Sequence, residues 1–115
     1  MNIAIDLDGT FNRFPVEFKL LLNTLSKDND IYIISGRKVS DMEKSKVELR
    51  EVNFKEMILF PDEYQDSQER VSKQIGRWKG EMCKEYKIDI YLENDPIQIA
   101  SIREVNPNVI ILQVI

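Results

Sequence analysis

Two aspartates separated by one residue, Asp6 and Asp8, directly follow a short apolar run near the start of the sequence. The run Asn2–Ile5 has the length and β-branched content of a buried strand, and Gly9 marks a turn after it. Because side chains alternate along a strand, we expect both carboxylates to leave the backbone on the same side. At ~4 Å they would repel by roughly 1 kcal/mol in water and about 4 kcal/mol at an effective dielectric of 20. Such a pair could bind a divalent metal, share a proton, or supply a nucleophile and an acid. The plain structural alternative is that Asp8 and Gly9 only form a turn.

The composition is that of an ordinary soluble globular protein, with 43% hydrophobic and 31% charged residues over 115 positions. This length predicts a single domain over residues 1–115. No apolar run reaches membrane-spanning length and the N-terminus lacks a basic-then-apolar signal pattern, so we expect no membrane contact. The one cysteine, Cys83, excludes an internal disulfide and predicts a buried thiol and a cytoplasmic location.

The sequence contains no histidine, which excludes Ser-His-Asp and Cys-His catalysis and histidine-based zinc sites. Carboxylate oxygens are plentiful, and such hard ligands favour Mg²⁺ over zinc. The net charge of −4 and the pI near 4.9 provide no long-range attraction for nucleic acid.

Five apolar runs alternate with segments of helical periodicity, which predicts βαβ units with right-handed crossovers. The expected fold is α/β: a Rossmann-like three-layer domain with a five-stranded parallel sheet covered by helices on both faces. Segments 9–14 and 62–67 are predicted to be short loops. The predicted strands are Asn2–Ile5, Ile31–Ile34, Met57–Phe60, Ile88–Leu92 and Val109–Val114, and the predicted helices are Pro15–Leu25, Asp41–Val52, Val71–Tyr86 and Pro96–Val105.

Polar residues stand at the carboxyl ends of three predicted strands, where open α/β sheets bind their ligands. They are the aspartate pair, Ser35, and the run from Glu93 to Asp95. Each has a plain structural explanation alone, as a turn at Ser35 and a helix cap before Pro96. Together they indicate a site at one edge of the sheet.

The segment Asp6 to Thr10, Asp-Leu-Asp-Gly-Thr, resembles the first motif of the haloacid-dehalogenase-like (HAD) superfamily. Most members of that superfamily are magnesium-dependent phosphohydrolases. The segment Ile33 to Arg37 resembles the second motif, and the resemblance extends from Asp6 to the last strand. It implies that Gly9, Thr10, the Ser35 hydroxyl and the Gly36 N–H help to bind phosphate. Arg37 would contact the substrate or would be a surface arginine on a loop.

The third HAD motif is a lysine on the helix before the fourth strand, and Lys79 and Lys73 both qualify. The rise of an antiparallel helix places Lys79 ~10 Å and Lys73 ~20 Å above the start of that strand, so height does not decide between them. Lys79 falls on the apolar stripe of its helix, where a lysine needs a partner. The segment Trp78 to Glu81 also resembles the lysine segment of small HAD phosphatases, which favours Lys79.

The fourth motif departs from the family pattern of two acidic residues. Alignment on the strand gives Glu93 as the first and Asn94 as the second, with Asp95 one residue late. The resemblance implies a Mg²⁺ site formed by Asp6, the Asp8 carbonyl, and Glu93 with either Asn94 or Asp95.

The implied reaction is phosphomonoester hydrolysis through an aspartyl-phosphate on Asp6. Asp8 would be the general acid and base, which requires a raised pKa. Ser35 and Lys79 would stabilise the transition state. The loops are too short for the cap domains that many HAD members carry, which leaves the pocket open. By analogy, an open pocket suits a phosphorylated macromolecule or a nucleotide as substrate, or is completed by a partner subunit.

The C-terminal half also resembles, more weakly, the phosphatase domain of phage polynucleotide kinase-phosphatase, which makes phosphorylated nucleic-acid ends a possible substrate. The main alternative is a non-catalytic protein of the same fold that binds phosphate or a partner. A receiver-type phospho-acceptor domain fits less well, because its acceptor aspartate follows the third strand.

Overall fold

The computed structural model of the chain describes residues 1–61 and 68–115, with side chains of the second range considered from residue 71 onward. The predicted loop at 62–67 lies outside the described residues. The strands are β1 Asn2–Ile5, β2 Asp30–Lys38, β3 Glu56–Phe60, β4 Ile90–Glu93 and β5 Ile110–Gln113, and the α-helices are α1 Pro15–Leu25, α2 Met42–Glu48, α3 Gln68–Glu85 and α4 Pro96–Val105.

The five strands form one parallel sheet in the order β3-β2-β1-β4-β5, which confirms the predicted fold class. β1 is the middle strand: Ile3 pairs with Ile31 of β2 on one side and with Ile90 of β4 on the other. The first strand of the chain therefore delivers the residue that follows it, Asp6, to the centre of the sheet edge.

Helices cover both faces of the sheet, so that the molecule has three layers. On one face, Leu22 of α1 and Leu49, just after α2, pack with Ile5 and Ile33 of the central strands. On the other face, α3 and α4 cover a second cluster of strand residues, among them Tyr91. Alternate residues of β1, β2 and β4 enter the two clusters, as the period-two pattern of a strand buried on both faces requires.

Contact between α3 and α4 is close because glycine lies on the α3 surface. A Cβ atom at Gly76 would lie 2.7 Å from the Cβ atom of Ser101 on α4. The glycine that weakens the helical pattern in sequence therefore permits the packing of this layer.

Element boundaries differ from the predictions mainly around the second strand. β2 continues through Gly36 to Lys38, with a register shift against β3 after Ser35. α2 is shorter than predicted and begins after a 3₁₀ turn at Val39–Asp41. The charged sequence of Asp41–Val52 predicts a mostly exposed helix, and this prediction misses the buried residue Ser45, since apolar periodicity gives no information about polar contacts.

The predicted loop at 9–14 contains a 3₁₀ turn at Phe11–Arg13, and Phe11 is buried in the core. Cys83 is buried as predicted. No helix in the described part of the chain is long and apolar enough to cross a membrane.

Candidate functional site

Three neighbouring strands bring a polar residue to the same edge of the sheet. Asp6 follows β1, Ser35 lies near the end of β2, and Glu93 ends β4; each is at most 5% exposed. A cavity of about 290 Å³ opens at this edge. It is lined by Asp6, Asp8, Ser35, Gly36, Arg37, Ile75, Lys79, Glu93, Asn94, Asp95 and Gln98.

Lys79 on α3 is the buried cation of this cavity, with a side chain that is 1% exposed. Its Nζ atom lies 3.1 Å from Asp6 Oδ1 and 2.5 Å from Glu93 Oε1, and it donates to Gln98 Oε1 at 2.6 Å. Three acceptors thus meet the three N–H groups of the ammonium, as burial requires. Lys73, the alternative candidate, lines a separate groove beside α4.

The surroundings of Asp6 change its acidity. Burial raises the pKa of Asp6 to about 7, Lys79 opposes that rise, and the like charge of Glu93 adds to it. Burial acts to lower the pKa of Lys79, but the facing carboxylates of Asp6 and Glu93 outweigh it and the pKa is raised. Lys79 therefore stays charged and cancels one of the two carboxylate charges.

Glu93 is occupied by protein donors at both oxygens. Its Oε1 accepts from Lys79, and its Oε2 accepts the main-chain N–H groups of Asn94 at 3.0 Å and Asp95 at 3.2 Å. With 0% exposure, Glu93 anchors Lys79 and the turn after β4 at the wall of the cavity.

Asp6 and Asp8 both line the cavity, but the strand geometry expected to place them on the same side is wrong. β1 ends at Ile5 and residues 7–10 form a turn, so the period-two rule ceases to apply after Asp6. The Asp8 side chain is 62% exposed and is held by Arg37.

Arg37 binds Asp8 with two hydrogen bonds, from Nε to Oδ2 at 2.9 Å and from Nη2 to Oδ1 at 2.8 Å. Asn12 donates a third to Oδ1 at 2.9 Å. The hydrogen bonds from Arg37 are the main reason that the pKa of Asp8 is lowered. A raised pKa at Asp8 is the expectation from sequence, so the structure gives the opposite direction.

Gly9 and Thr10 support the turn instead of lining the cavity. Gly9 has a φ of +78°, and a Cβ atom there would overlap the Asn94 amide. Its N–H donates to Asn12 Oδ1 at 2.9 Å. Thr10 is fully buried, and its hydroxyl donates to Asn94 Oδ1 at 3.0 Å. Both residues therefore position Asn94 and Asp8.

The Asn94 amide fits its surroundings when it is turned over, because its oxygen otherwise faces only hydrogen-bond acceptors. With the amide turned over, its nitrogen donates to Thr10 Oγ1 at 3.0 Å and to the main-chain oxygen of Asp8 and Glu93 Oε2, each at 3.1 Å. In this orientation Asn94 satisfies the Asp8 carbonyl and Glu93 by itself, and it would have to turn its amide over to offer Oδ1 to a cation.

The chemistry of these oxygens fits Mg²⁺. Carboxylate, main-chain carbonyl and side-chain amide oxygens are the hard ligands that Mg²⁺ takes in proteins. No donor in the described part of the chain bonds to Asp6 Oδ2, which leaves a carboxylate oxygen for the same ion. The described residues contain no group of three or more Asp, Glu, His or Cys that could hold a metal, so this set depends on one carboxylate, one carbonyl and one amide.

Asp95 is the N-cap of α4, as its plain structural explanation predicts. Its Oδ1 accepts from the N–H groups of Ile97 at 2.9 Å and Gln98 at 3.4 Å. Gln98 is a site residue that the sequence patterns did not reveal, and its Nε2 donates to Asp95 Oδ2 at 3.3 Å while its Oε1 binds Lys79. Its position in the first turn of α4, just after the acidic run, was the available signal.

Ser35 and Gly36 form the remaining wall of the cavity. The Ser35 hydroxyl oxygen accepts the Arg37 N–H at 3.1 Å, which leaves its own proton to donate. Gly36 packs against Ile75, where a Cβ atom would lie 2.9 Å from a side-chain methyl group.

No protein-family model matches the chain, and no curated protein matches it in sequence. Solved structures are similar to it in fold. A chain of the Pnkp1/Rnl/Hen1 complex superposes with a TM-score of 0.74 at 15% identity, over 98% of this chain and 45% of that one. A chain of the Pnkp1/Rnl/Hen1 RNA repair complex gives 0.72 at 14% identity, over 98% and 42%. The present chain thus spans less than half the length of either.

A third similar structure is the C-terminal domain of a hydrogenase from Pyrococcus furiosus. Its TM-score is 0.61 at 14% identity, over 99% of this chain and 90% of that one. At these identities the likenesses concern the fold, and the chemistry has to be argued from the cavity itself.

Proposed function

We propose that this protein is a Mg²⁺-dependent phosphomonoester hydrolase of the HAD type, with Asp6 as the nucleophile. The placement of Asp6 supports this most strongly. Its carboxylate is buried at the centre of the sheet edge, 3.1 Å from the Lys79 ammonium, and it lines an open polar cavity. The order of the motif residues along the chain, which resembles the HAD order, supports the same reaction.

In the proposed first step, an oxygen of Asp6 attacks phosphorus while the bond to the leaving oxygen breaks, and an aspartyl-phosphate forms. Asp8 gives a proton to the leaving oxygen, although the hydrogen bonds from Arg37 lower the pKa of Asp8 and favour its ionised form before substrate binds. Water then attacks phosphorus, Asp8 takes a proton from it, the bond to Asp6 breaks, and phosphate leaves. The Ser35 hydroxyl donates to a phosphoryl oxygen throughout, and Lys79, whose N–H groups are taken by protein acceptors, contributes its positive charge beside Asp6.

Mg²⁺ would be held by Asp6, the main-chain oxygen of Asp8 and Asn94, and when bound it would offset the charges of the nucleophile and the phosphate. In this proposal Glu93 and Asp95 are not ligands, since Glu93 anchors Lys79 and Asp95 caps α4.

The proposed substrate is a phosphate group at the end of a large molecule. The cavity is open and has no covering domain among the described residues, so a bulky leaving group can extend into solvent. The fold likeness to chains of an RNA repair complex favours a phosphorylated nucleic-acid end within that class. The net charge of −4 implies that such binding depends on local contacts with the phosphate.

A non-catalytic phosphate-binding protein is the second candidate, favoured by one observation. Asn94 stands where the HAD pattern has a carboxylate, which lowers the negative charge available to a cation. This alternative predicts weak Mg²⁺ binding and no turnover of any phosphoester.

The test is hydrolysis of an aryl phosphate and of a 3′- or 5′-phosphorylated oligonucleotide, each with Mg²⁺ and with EDTA. We expect turnover by the wild type that requires Mg²⁺ and falls by at least about 10³-fold in Asp6→Asn, since the nucleophile is lost. The matched control is Asp28→Asn, the same change on an exposed residue at the opposite edge of the sheet, which should retain wild-type rates. Turnover retained in Asp6→Asn would overturn the assignment of the nucleophile.

A further inference from the structure

Arg37 is held by three other side chains of the protein, which leaves it few N–H groups for a substrate. Besides its two bonds to Asp8, its Nη1 donates to Ser45 Oγ at 3.1 Å and to Glu48 Oε2 at 2.5 Å. The Arg37 side chain is 12% exposed. One guanidinium therefore connects the turn after β1 with α2.

The number of N–H groups that remain free limits what Arg37 can bind. A guanidinium has five N–H groups in a fixed plane, and four of those of Arg37 are taken by Asp8, Ser45 and Glu48. A phosphate would find one N–H remaining, on Nη2. The bidentate contact that arginine usually makes with phosphate is already made with Asp8.

The two α2 residues hold the guanidinium from the side opposite Asp8. Ser45 is fully buried, so its hydroxyl has a fixed place. Glu48, at the last position of α2, supplies a second carboxylate and raises the pKa of Arg37 together with Asp8. Arg37 consequently lies between two carboxylates, with its plane set by three groups.

Asp8 and Arg37 also form the shared wall of two cavities. One is the cavity of Asp6, and the other, of about 330 Å³, is lined by polar residues that include Asn12, Lys44 and Glu48. A leaving group whose oxygen is protonated by Asp8 must lie beside this wall. In the proposed reaction, the orientation of Asp8 is thus set on the side of the cavity where the leaving group would lie.

We propose that Glu48 and Ser45 are positioning residues for the hydrolysis: by fixing Arg37 they hold the Asp8 carboxyl toward the leaving group. This inference rests on the proposed function and adds α2 to the catalytic arrangement. It also reassigns Arg37, expected from sequence to contact substrate, as the residue through which α2 acts.

The kinetic test compares an alkyl phosphate with a nitrophenyl phosphate, because a poor leaving group depends on protonation far more than a good one. We expect Glu48→Gln and Ser45→Ala to lower kcat on the alkyl phosphate by about 10-fold, a fraction of the 10²–10⁴-fold that a general acid contributes. On the nitrophenyl phosphate kcat should change less than about 2-fold, and the KM of both substrates should be unchanged in the two variants. Glu48→Asp should restore part of the loss.

The chain offers matched controls for both changes. Glu51→Gln removes a carboxylate paired with Lys19 at 3.7 Å, and Ser40→Ala removes an exposed hydroxyl just before α2. Neither should alter the ratio of the two rates. An equal loss on both substrates in Glu48→Gln would show a general structural effect and overturn the positioning role.

A second measurement does not depend on turnover. In an NMR spectrum, the Nε–H signal of Arg37, assigned by its loss in Arg37→Lys, should exchange slowly with water in the wild type. It should exchange faster in Glu48→Gln and Ser45→Ala but not in Glu51→Gln. Fast exchange in the wild type would overturn the inference whatever the activity. Slow exchange in a protein that hydrolyses no phosphoester would instead overturn the proposed function, and the role in leaving-group protonation with it.

Discussion

At the scale of single residues, the site is a balance of buried charges with an excess of one negative charge. Asp6 and Glu93 face one cation, Lys79, and all three are nearly inaccessible to solvent. Glu93 is compensated by two further N–H donors, whereas the Asp6 side chain has Lys79 as its partner and lines the cavity. The excess charge therefore falls on Asp6, where a metal or a reacting phosphorus would use it.

This imbalance predicts that the contribution of Asp6 to the stability of the fold depends on pH. Because its folded-state pKa, about 7, exceeds the ordinary value of 3.8, the folded protein binds a proton that the unfolded chain releases. The contribution of Asp6 to stability is hence most favourable below pH 4 and is lost as the pH rises toward 7. Without metal at pH 8, Asp6→Asn should be more stable than the wild type by up to a few kcal/mol, because a tenfold difference in acidity between the folded and unfolded states corresponds to about 1.4 kcal/mol.

Urea unfolding in EDTA between pH 4 and pH 8 measures this difference. The stability of Asp6→Asn relative to the wild type should increase steadily with pH, while that of Asp28→Asn, an exposed carboxylate, should show no such increase. A variant that is less stable than the wild type at pH 8 would mean that the attraction of Lys79 outweighs the burial of Asp6.

At the scale of elements, α4 shows a residue with two competing explanations. Asp95 directly follows the predicted metal ligands in sequence, yet its carboxylate accepts from the N–H groups of Ile97 and Gln98. N-cap residues of this kind contribute about 0.5–2 kcal/mol. The contacts of Asp95 are therefore explained by its role as the N-cap of α4.

We expect Asp95→Ala to lower the free energy of unfolding by about 1 kcal/mol and Asp95→Asn to have little effect, since asparagine caps helices as well as aspartate. Chemical denaturation of the two variants in EDTA measures the difference. Equal destabilisation by both would mean that the charge of Asp95, rather than its capping oxygen, is what the fold requires.

The elements also show what sequence could predict. Apolar runs and helical periodicity predicted all five strands and the four helices, because both patterns report burial on a regular backbone. The gathering of Asp6, Ser35 and Glu93 at one edge of the sheet followed from the same pattern, although β2 continues past its predicted end to Lys38.

Other features depend on contacts between residues far apart in sequence, which periodicity does not contain. The turn that separates Asp8 from Asp6 is stabilised by Arg37, which lies 29 positions later. The involvement of α2 depends on Ser45 and Glu48, polar residues on a helix that its pattern predicts to be exposed. Gln98 likewise becomes a site residue only because α4 packs closely on α3.

At the scale of the whole molecule, the sheet order concentrates the site on the middle strand. β1 is flanked by β2 and β4, so the residues after these three strands come from three widely separated parts of the chain. An ion ligated by Asp6, the Asp8 carbonyl and Asn94 would connect the first and last thirds of the sequence across the edge of the sheet. Its binding should therefore be measurable as stability of the entire fold.

We expect Mg²⁺ to raise the melting temperature of the wild type, because a ligand that binds only the native state stabilises it by RT ln(1 + [L]/Kd). At 100 times Kd this is about 2.7 kcal/mol, or a rise of roughly 10–20 °C for a domain of about 100 residues. Asn94→Ala should abolish most of the rise and Asn94→Asp should enlarge it, since a carboxylate replaces the amide. Asp95→Asn should leave the rise intact, and Asn53→Ala, on an exposed loop, is the control. A melting temperature that ignores Mg²⁺ in the wild type yet rises with inorganic phosphate would favour the phosphate-binding alternative, because Lys79 and Ser35 would then bind the anion without a cation.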